Sequence, residues 1–438
     1  DRFFRRGWFC AGLQIGSRSL IQVNDPNLHR ESAFGIVRVA NAFQFVLHQV
    51  TLERSNGYLR LFILPAIYLR PIDIYIDLAL GMRDRLPQVK FVGIAPGSAD
   101  EDAREFYVEQ MEPSLIPFYN DYRVMLDRQK DIDAVIIATS DHTHAVISME
   151  AMRRGKHTFT QKPLTHTVFE ARTLASAAKE FKVATQMGNQ GQAADGPRRL
   201  REMIWDGVIG PVREVHVWTD RPNNGLFKTY WPQGVKRPED KPAVPAELDW
   251  DLFTGPAPMR PYHPAYHPFT WRGWLDYGTG ALGDIGCHSF DPVFRALKLK
   301  YPDTVQAVST LVNGDSYPLG SMVRHEFPAR ESMPPVTLTW YDGGMRPFIF
   351  SDLEPGMKLG SGGTLYIGDK GKMLNHQLIP ESRDKEYGTP PQKLTRSPGH
   401  YQEWINACKG GDPGGSNFDF AGPLTEVVLL GNIAIRTG

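Results

Sequence analysis

"DAVIIATSDHTH", residues 133 to 144, decides the fold of this chain. Ala134 to Ala138 form a continuous, β-branched apolar run with no polar alternation, which predicts a strand buried on both faces. The residues that follow, Thr139, Ser140 and Asp141, are good helix N-caps, so the chain should turn from strand into helix there. Downstream, "AVISMEAMRRGK" (145 to 156) has helical spacing and a glycine stop. "HTFTQKP" reads as a strand, "TVFEARTLASAAKEF" as a helix, and "VATQMGN" as a further strand ending in glycine. Upstream, "LRLFIL" (59 to 64) and "VKFVGIA" (89 to 95) are strands, each followed by a predicted helix, over 72 to 82 and 99 to 111.

Strands alternating with helices at this rhythm imply a parallel sheet covered on both faces, with a ligand crevice at the carboxyl ends of its strands. Beyond residue 190 the rhythm changes. "VREVHVWTD" (212 to 220) alternates like a half-exposed strand, a Pro-rich excursion runs from 221 to 250, and strands follow at "TVQAVSTLV", "VTLTWYD" and "GTLYIGDKG". The fold class expected is α/β: an N-terminal Rossmann-type doubly wound parallel sheet plus a C-terminal α+β domain with a large, mostly antiparallel open sheet. The expected domains are an extension over 1–57, a dinucleotide-binding domain over 58–188, a substrate and oligomerisation domain over 189–416, and a C-terminal helix over 417–438 that returns to the first domain.

Composition fits this reading. At 438 residues the chain exceeds what one core normally serves, and 41% apolar residues suffice for two. Lys plus Arg and Asp plus Glu each total 49, so no field of one sign draws the molecule to nucleic acid or anionic membrane. Cys10, Cys287 and Cys408 are too few and too scattered for a disulfide framework or a zinc knuckle. No uninterrupted apolar run approaches the roughly 20 residues of a membrane helix, and the expectation is a soluble chain. "RFFRRGWF" (2 to 9) has the paired arginines of a twin-arginine export signal, but "LQIGSRS" interrupts the apolar region that should follow, so cytoplasm and bacterial periplasm both stay open.

The strand ends place Thr139, Asp141, His144, Lys162 and Asn189 on one rim. In "TQKP", Pro163 ends the hydrogen bonding of the strand and turns the chain over the crevice, where Lys162 can donate a hydrogen bond or relay a proton. Its ordinary alternative is a solvated lysine in a turn. In "GTGALGDIGCH" (278 to 288), a helix starting near 281 stacks Asp284 and His288 on one face. The carboxylate should raise the basicity of the imidazole and orient it as a base for a hydroxyl proton. An acid favoured by the helix dipole beside a core histidine is the plainer alternative, and a shared metal ion the third; no further ligand stands at clear spacing, so no metal is expected. Cys287 falls on another side of the helix and reads as packing. "YHPAYHPFTWRGWLDYG" (262 to 278) offers Tyr266, Trp271 and Trp274 for stacking on sugar rings and Arg272 for their hydroxyls, although aromatics this dense also build cores.

Taken together, these residues resemble the Gfo/Idh/MocA family of oxidoreductases, from about residue 59 to the end and most densely over 131 to 295 and 399 to 438. "DAVIIATSDHTHAVISMEAMRRGKHTFTQKPLTHT" is similar to the strand, loop, helix and Glu-Lys-Pro segment of the family, with Gln161 in place of the usual Glu. The resemblance implies that Lys162 is the catalytic lysine, Asp284 the hydroxyl-orienting acid and His288 the general base. It implies NAD or NADP, exchangeable or tightly held, with Thr139, Asp141, His144, Lys162, Asn189 and Gln190 about it; a saccharide, glycoside or polyol substrate; and a homo-oligomer formed through the second-domain sheet. One departure stands out: where the family has a Gly-x-Gly-x-x-Gly turn, "LFILPAIYLRPIDIYIDLAL" has no glycine. Ile67, Tyr68 and Leu69 would obstruct a pyrophosphate, Pro65 lacks an N–H, and Pro96 replaces the acid expected at the ribose. The leading expectation is a ring-hydroxyl dehydrogenase. The alternatives are a glycosidase working by oxidation and elimination with held NAD, and a sugar-binding or scaffold protein that has lost its cofactor.

Overall fold

A computed structural model describes residues 59–65, 89–94, 119–224, 228–246, 248–348, 359–389 and 391–438, all within one unit spanning 50–438. Five strands, β1 (Leu59–Pro65), β2 (Val89–Ile94), β3 (Ala134–Ala138), β4 (His157–Thr160) and β5 (Thr185–Met187), make a wholly parallel sheet in the order β2-β1-β3-β4-β5. Every residue of β3 is buried, as its unbroken apolar run requires. The strand order reverses direction at β1 and β3, which puts the ligand crevice beside their carboxyl ends. The glycine-free turn after Pro65, Pro96, the two early helices and the arginine pair near the start lie outside the described residues.

Helices α1 (Tyr122–Arg128), α2 (Asp141–Arg153) and α3 (Val168–Phe181) connect these strands. A reciprocal cap starts α3: Thr167 Oγ1 accepts from Glu170 N while the Glu170 carboxylate accepts from Thr167 N. After β5 come α4 (Asp195–Trp205) and α5 (Trp250–Thr254).

The second sheet has seven strands: β6 (Val212–Trp218), β7 (Thr304–Ser309), β8 (Ser321–Phe327), β9 (Val336–Tyr341), β10 (Gly363–Gly368), β11 (Gly371–Leu374) and β12 (Gln377–Ile379). Their order is β12-β11-β10-β6-β9-β8-β7, antiparallel throughout except where β6 runs parallel to β9. The remaining helices are α6 (Gly280–Leu297), α7 (Glu381–Tyr387), α8 (His400–Cys408) and α9 (Phe418–Thr437).

One continuous core joins the two sheets. It takes Met187 from the first, Val215 and Trp340 from the second, Leu174 from α3, and Leu282, Phe290, Leu424 and Val428 from α6 and α9 between them. Each such side chain contributes roughly 1.5–3 kcal/mol by leaving water. Among the described residues α9 is, by length and composition alone, long and apolar enough to cross a membrane, although polar residues interrupt its apolar run. Most of its apolar surface is buried in this core, and Glu426 on it pairs with Arg172 of α3. Its start is tied to the first sheet, where Phe418 N donates to Thr185 Oγ1 at 3.0 Å.

The entry to α6 depends on Gly280, whose φ of +65° lies in the left-handed region and whose added Cβ would stand 2.6 Å from the Tyr317 ring. Gly280→Ala should therefore destabilise the fold by about 2–4 kcal/mol, combining the left-handed penalty with overpacking. Urea unfolding with an unchanged slope and a lower midpoint is the expected record.

Candidate active site

The site forms where the rim of the parallel sheet meets α6. Gln161 N donates to Ile137 O at 2.8 Å, extending the β3–β4 pairing, and Gly188 passes so close to Gln161 that a Cβ there would stand 2.2 Å from its amide oxygen. Lys162 is thereby aimed away from its own sheet. Its Nζ donates to Asp284 Oδ1 and to Asp284 O, both at 2.7 Å, across 122 residues of chain. Arg272 approaches the same carboxylate oxygen with Nε at 3.5 Å. Its guanidinium lies over the rings of Phe269 and Trp271, at 4.2 and 4.3 Å, and Nη1 donates to Phe269 O.

Burial alone would push the Asp284 carboxyl up, but Lys162 and Arg272 outweigh it, and the group is held down at about 2. Asp284 is ionised at any pH near neutrality. His288, one turn further along α6, is half-buried and its imidazole has no hydrogen-bond partner among the described residues. Burial and then the Lys162 charge lower it to about 3, and the opposing pull of Asp284 is smaller. The carboxylate does pull the ring upward as expected, but burial and the lysine charge outweigh it, so the net shift is downward. Asp284 is turned to Lys162 and Arg272, so the imidazole meets the lysine charge and a poorly solvating wall.

Asp141, at the first turn of α2, is buried and accepts from Thr279 Oγ1 at 2.6 Å; burial raises it to about 6, against the lowering effect of Thr279 and Lys162. Asn189 is buried with Nδ2 donating to Asp291 Oδ2 at 2.6 Å, while Oδ1 has no partner among the described residues. Asp291 is also paired with Arg295 at 2.8 Å, so it belongs to the scaffold. Gln190 is exposed beside Asn189.

Five other residues sit differently from their expected roles. Both ring nitrogens of buried His144 face backbone carbonyls, Nδ1 with Pro163 O at 2.8 Å and Nε2 with Thr139 O at 2.9 Å, so the ring braces the lysine loop and offers a ligand no nitrogen. Tyr266, Trp271 and Trp274 are all buried, in one cluster with Trp250, Phe253 and Tyr277, and Trp274 Nε1 donates to Ala265 O. Packed against one another, they support Arg272 from behind and present almost no face to a sugar. Thr139 is buried as well, its Oγ1 accepting from Thr143 Oγ1 at 2.7 Å. Cys287 packs beside Thr425, its thiol pushed up to about 12 by burial.

Sequence reasoning missed three side chains at this junction. Thr279, His142 and His166 contact one another's segments across the two sheets, and nothing in their local sequence marks them.

A parallel nucleotide-binding-type sheet joined through a lysine–aspartate pair to a broad antiparallel sheet is the architecture of two-domain α/β oxidoreductases. The pattern described as "Oxidoreductase family, NAD-binding Rossmann fold" matches residues 80–189, and that described as "Oxidoreductase family, C-terminal alpha/beta domain" matches 197–316, together more than half of the chain. The chain belongs to the Gfo/Idh/MocA oxidoreductase family. It is 29% identical to levoglucosan dehydrogenase of Pseudarthrobacter phenanthrenivorans over 207 residues, 47% of this chain and 42% of that one. It is 35% identical to 1,5-anhydro-D-fructose reductase of Ensifer adhaerens over 80 residues, 18% of this chain and 24% of that one. The matched segments thus span less than half the length of these relatives. In fold it is similar to the WlbA dehydrogenase from Bordetella pertussis, solved with NADH and UDP-GlcNAcA, with a TM-score of 0.58 and 15% identity over 86% of this chain and 97% of that one.

Proposed function

We propose that this protein is a nicotinamide-dependent oxidoreductase that oxidises a ring hydroxyl of a sugar, glycoside or polyol. The observation that carries the reading is the Lys162–Asp284 pair, with the unpartnered His288 imidazole one helical turn away. The sugar and anhydrosugar substrates in the names of the relatives support the substrate class. The described part of the crevice fits the cofactor: the orphaned, buried Asn189 Oδ1 is an acceptor waiting for a donor, and Gln190 and Lys162 stand with it on the strand-end rim. When bound, the dinucleotide supplies the acceptor for the hydride of the carbinol carbon, whose departure makes the hydroxyl strongly acidic.

The protein residues manage that proton. Lys162, anchored twice to Asp284, donates a hydrogen bond to the reacting oxygen and fixes its place. His288 takes the proton. A neutral imidazole held near 3 is a weak base, sufficient only once the oxygen has become acidic, which ties proton removal to oxidation. Arg272, held flat by Phe269 and Trp271, grips a neighbouring hydroxyl.

Because burial lowers the imidazole, it stays unprotonated from neutrality down to about 3. The acid limb of kcat/KM for the wild type should therefore fall below about pH 4, well under the ~6.5 of a free histidine. An acid limb near 6.5 would remove His288 from the role of base. The primary test incubates the full chain with NAD or NADP and a panel of sugars, glycosides and polyols. Stoichiometric reduced nicotinamide is the expected result. Net cleavage of a glycoside without added cofactor would point to oxidation and elimination, and failure to carry or bind either dinucleotide would mean a non-catalytic protein.

A further inference from the structure

Three consecutive residues that lead into α6 are each contacted by a residue from the rim of the other sheet. Tyr277 O lies 3.1 Å from His142 Nδ1 and also accepts from His142 N at 3.3 Å. Gly278 O lies 2.9 Å from His166 Nε2. Thr279 Oγ1 donates to Asp141 Oδ2 at 2.6 Å. His142 and Asp141 open α2, and His166 lies in the loop that begins with Lys162. From behind, Asn432 Nδ2 of α9 donates to Thr279 O at 2.8 Å.

Thr279 has given up its usual task. It is the N-cap of α6, where a threonine hydroxyl normally accepts from its own helix, yet it makes no such bond. That omission costs the helix about 1 kcal/mol. Gly283 leaves the space the side chain occupies, since a Cβ there would stand 2.0 Å from Thr279 Oγ1. The bonded Asp141 carboxylate thus lies at the amino ends of two helices, α2 and α6, whose dipoles both favour its charge. Asp284 follows Thr279 by five residues, about 7 Å along a rigid helix, so a shift at this clamp passes directly to the carboxylate that Lys162 must meet.

From this geometry we infer that Asp141, His142, His166 and Thr279 form an inter-sheet clamp of positioning residues that sets the distance between Lys162 and the Asp284–His288 face of α6. The kinetic consequence rests on the dehydrogenase reading; the clamp itself does not.

The test is Thr279→Val, which keeps shape and removes the donor, beside His166→Phe, which keeps a ring and removes its hydrogen bond, with Thr279→Ser as the conservative control. Acetic anhydride labelling of the full chain, read by peptide mass spectrometry, reports Lys162 directly, with the solvent-facing Lys179, paired to Asp419, as internal reference. Lys162 labelling should rise at least about tenfold relative to Lys179 in Thr279→Val and His166→Phe, as its anchored amine is released, and stay at the wild-type level in Thr279→Ser. With an active protein, kcat should fall about 10- to 100-fold while KM holds. Unchanged Lys162 labelling in both variants would overturn the clamp, as would equal acceleration at every lysine, which marks general loosening. Labelling that shifts as expected in a protein that oxidises no sugar or polyol would retain the clamp and dispose of the dehydrogenase reading instead.

Discussion

Lys162→Met should abolish most of the proposed dehydrogenase activity: kcat/KM should drop by about 10²- to 10⁴-fold, because His288 loses the oriented hydroxyl from which it takes the proton. The change removes both bonds to Asp284 and leaves that carboxylate with Arg272 alone, at 3.5 Å. Asp284 is now held at about 2 against the upward push of burial, largely by the lysine charge, so its carboxyl should titrate higher in the variant. The sign for stability follows. A carboxyl depressed from 3.8 to about 2 contributes stability that is complete above 3.8 and lost as pH falls through 2, and in Lys162→Met that acid-side loss should shrink or reverse. Steady-state kinetics with carbon-13 NMR of labelled aspartate measures both effects. A variant that keeps near-wild-type turnover would show that Lys162 does not place the reacting oxygen.

Glu202→Ala should produce a large loss of stability, about 2–4 kcal/mol, because it leaves the part-buried Arg396 guanidinium and two backbone N–H groups without their buried acceptor. Glu202 of α4 is buried and accepts from Lys393 N and Leu394 N at 2.8 and 2.9 Å and from both Nη atoms of Arg396 at 2.9 and 3.0 Å. It thereby fastens the segment that leads into α8. The Arg396 hydrogen bond, with the two backbone bonds, overcomes burial and draws the carboxyl from 4.5 down to about 2. Its contribution is complete above 4.5 and lost as pH falls toward 2. Urea unfolding at pH 7 should give the full deficit. Between pH 4.5 and 2, Glu202→Gln should lose less stability than the wild type, having no charge left to neutralise.

Where a segment has a clean period, its sequence shows its structure. The unbroken run at 134 to 138 is β3, the segment read as a helix over 167 to 181 is α3, and the expected C-terminal helix over 417 to 438 is α9. Strand β8 was illegible because two of its inward positions are the polar Ser321 and His325, which hide the alternation of Val323 and Phe327. Helix α4 was illegible for a related reason. It opens with Gly196 and Pro197, a pair that reads as a turn but is tolerated in a first helical turn, and it buries Arg198 and Glu202 on its inner face.

By itself the sequence determined the alternation that makes the parallel sheet, the strand-end position of Lys162 and the one-face stacking of Asp284 and His288, since each follows from a period of two or 3.6 residues within one short segment. Only the tertiary structure decided what those side chains touch. Asp284 faces a lysine 122 residues away instead of the imidazole one turn along its own helix. Thr279 bonds an acid 138 residues away instead of capping α6, and Tyr266, Trp271 and Trp274 close a core instead of lining a sugar site. Local geometry chooses the face a residue presents, whereas its partner and its solvation are set by whatever distant segment the packing brings against that face.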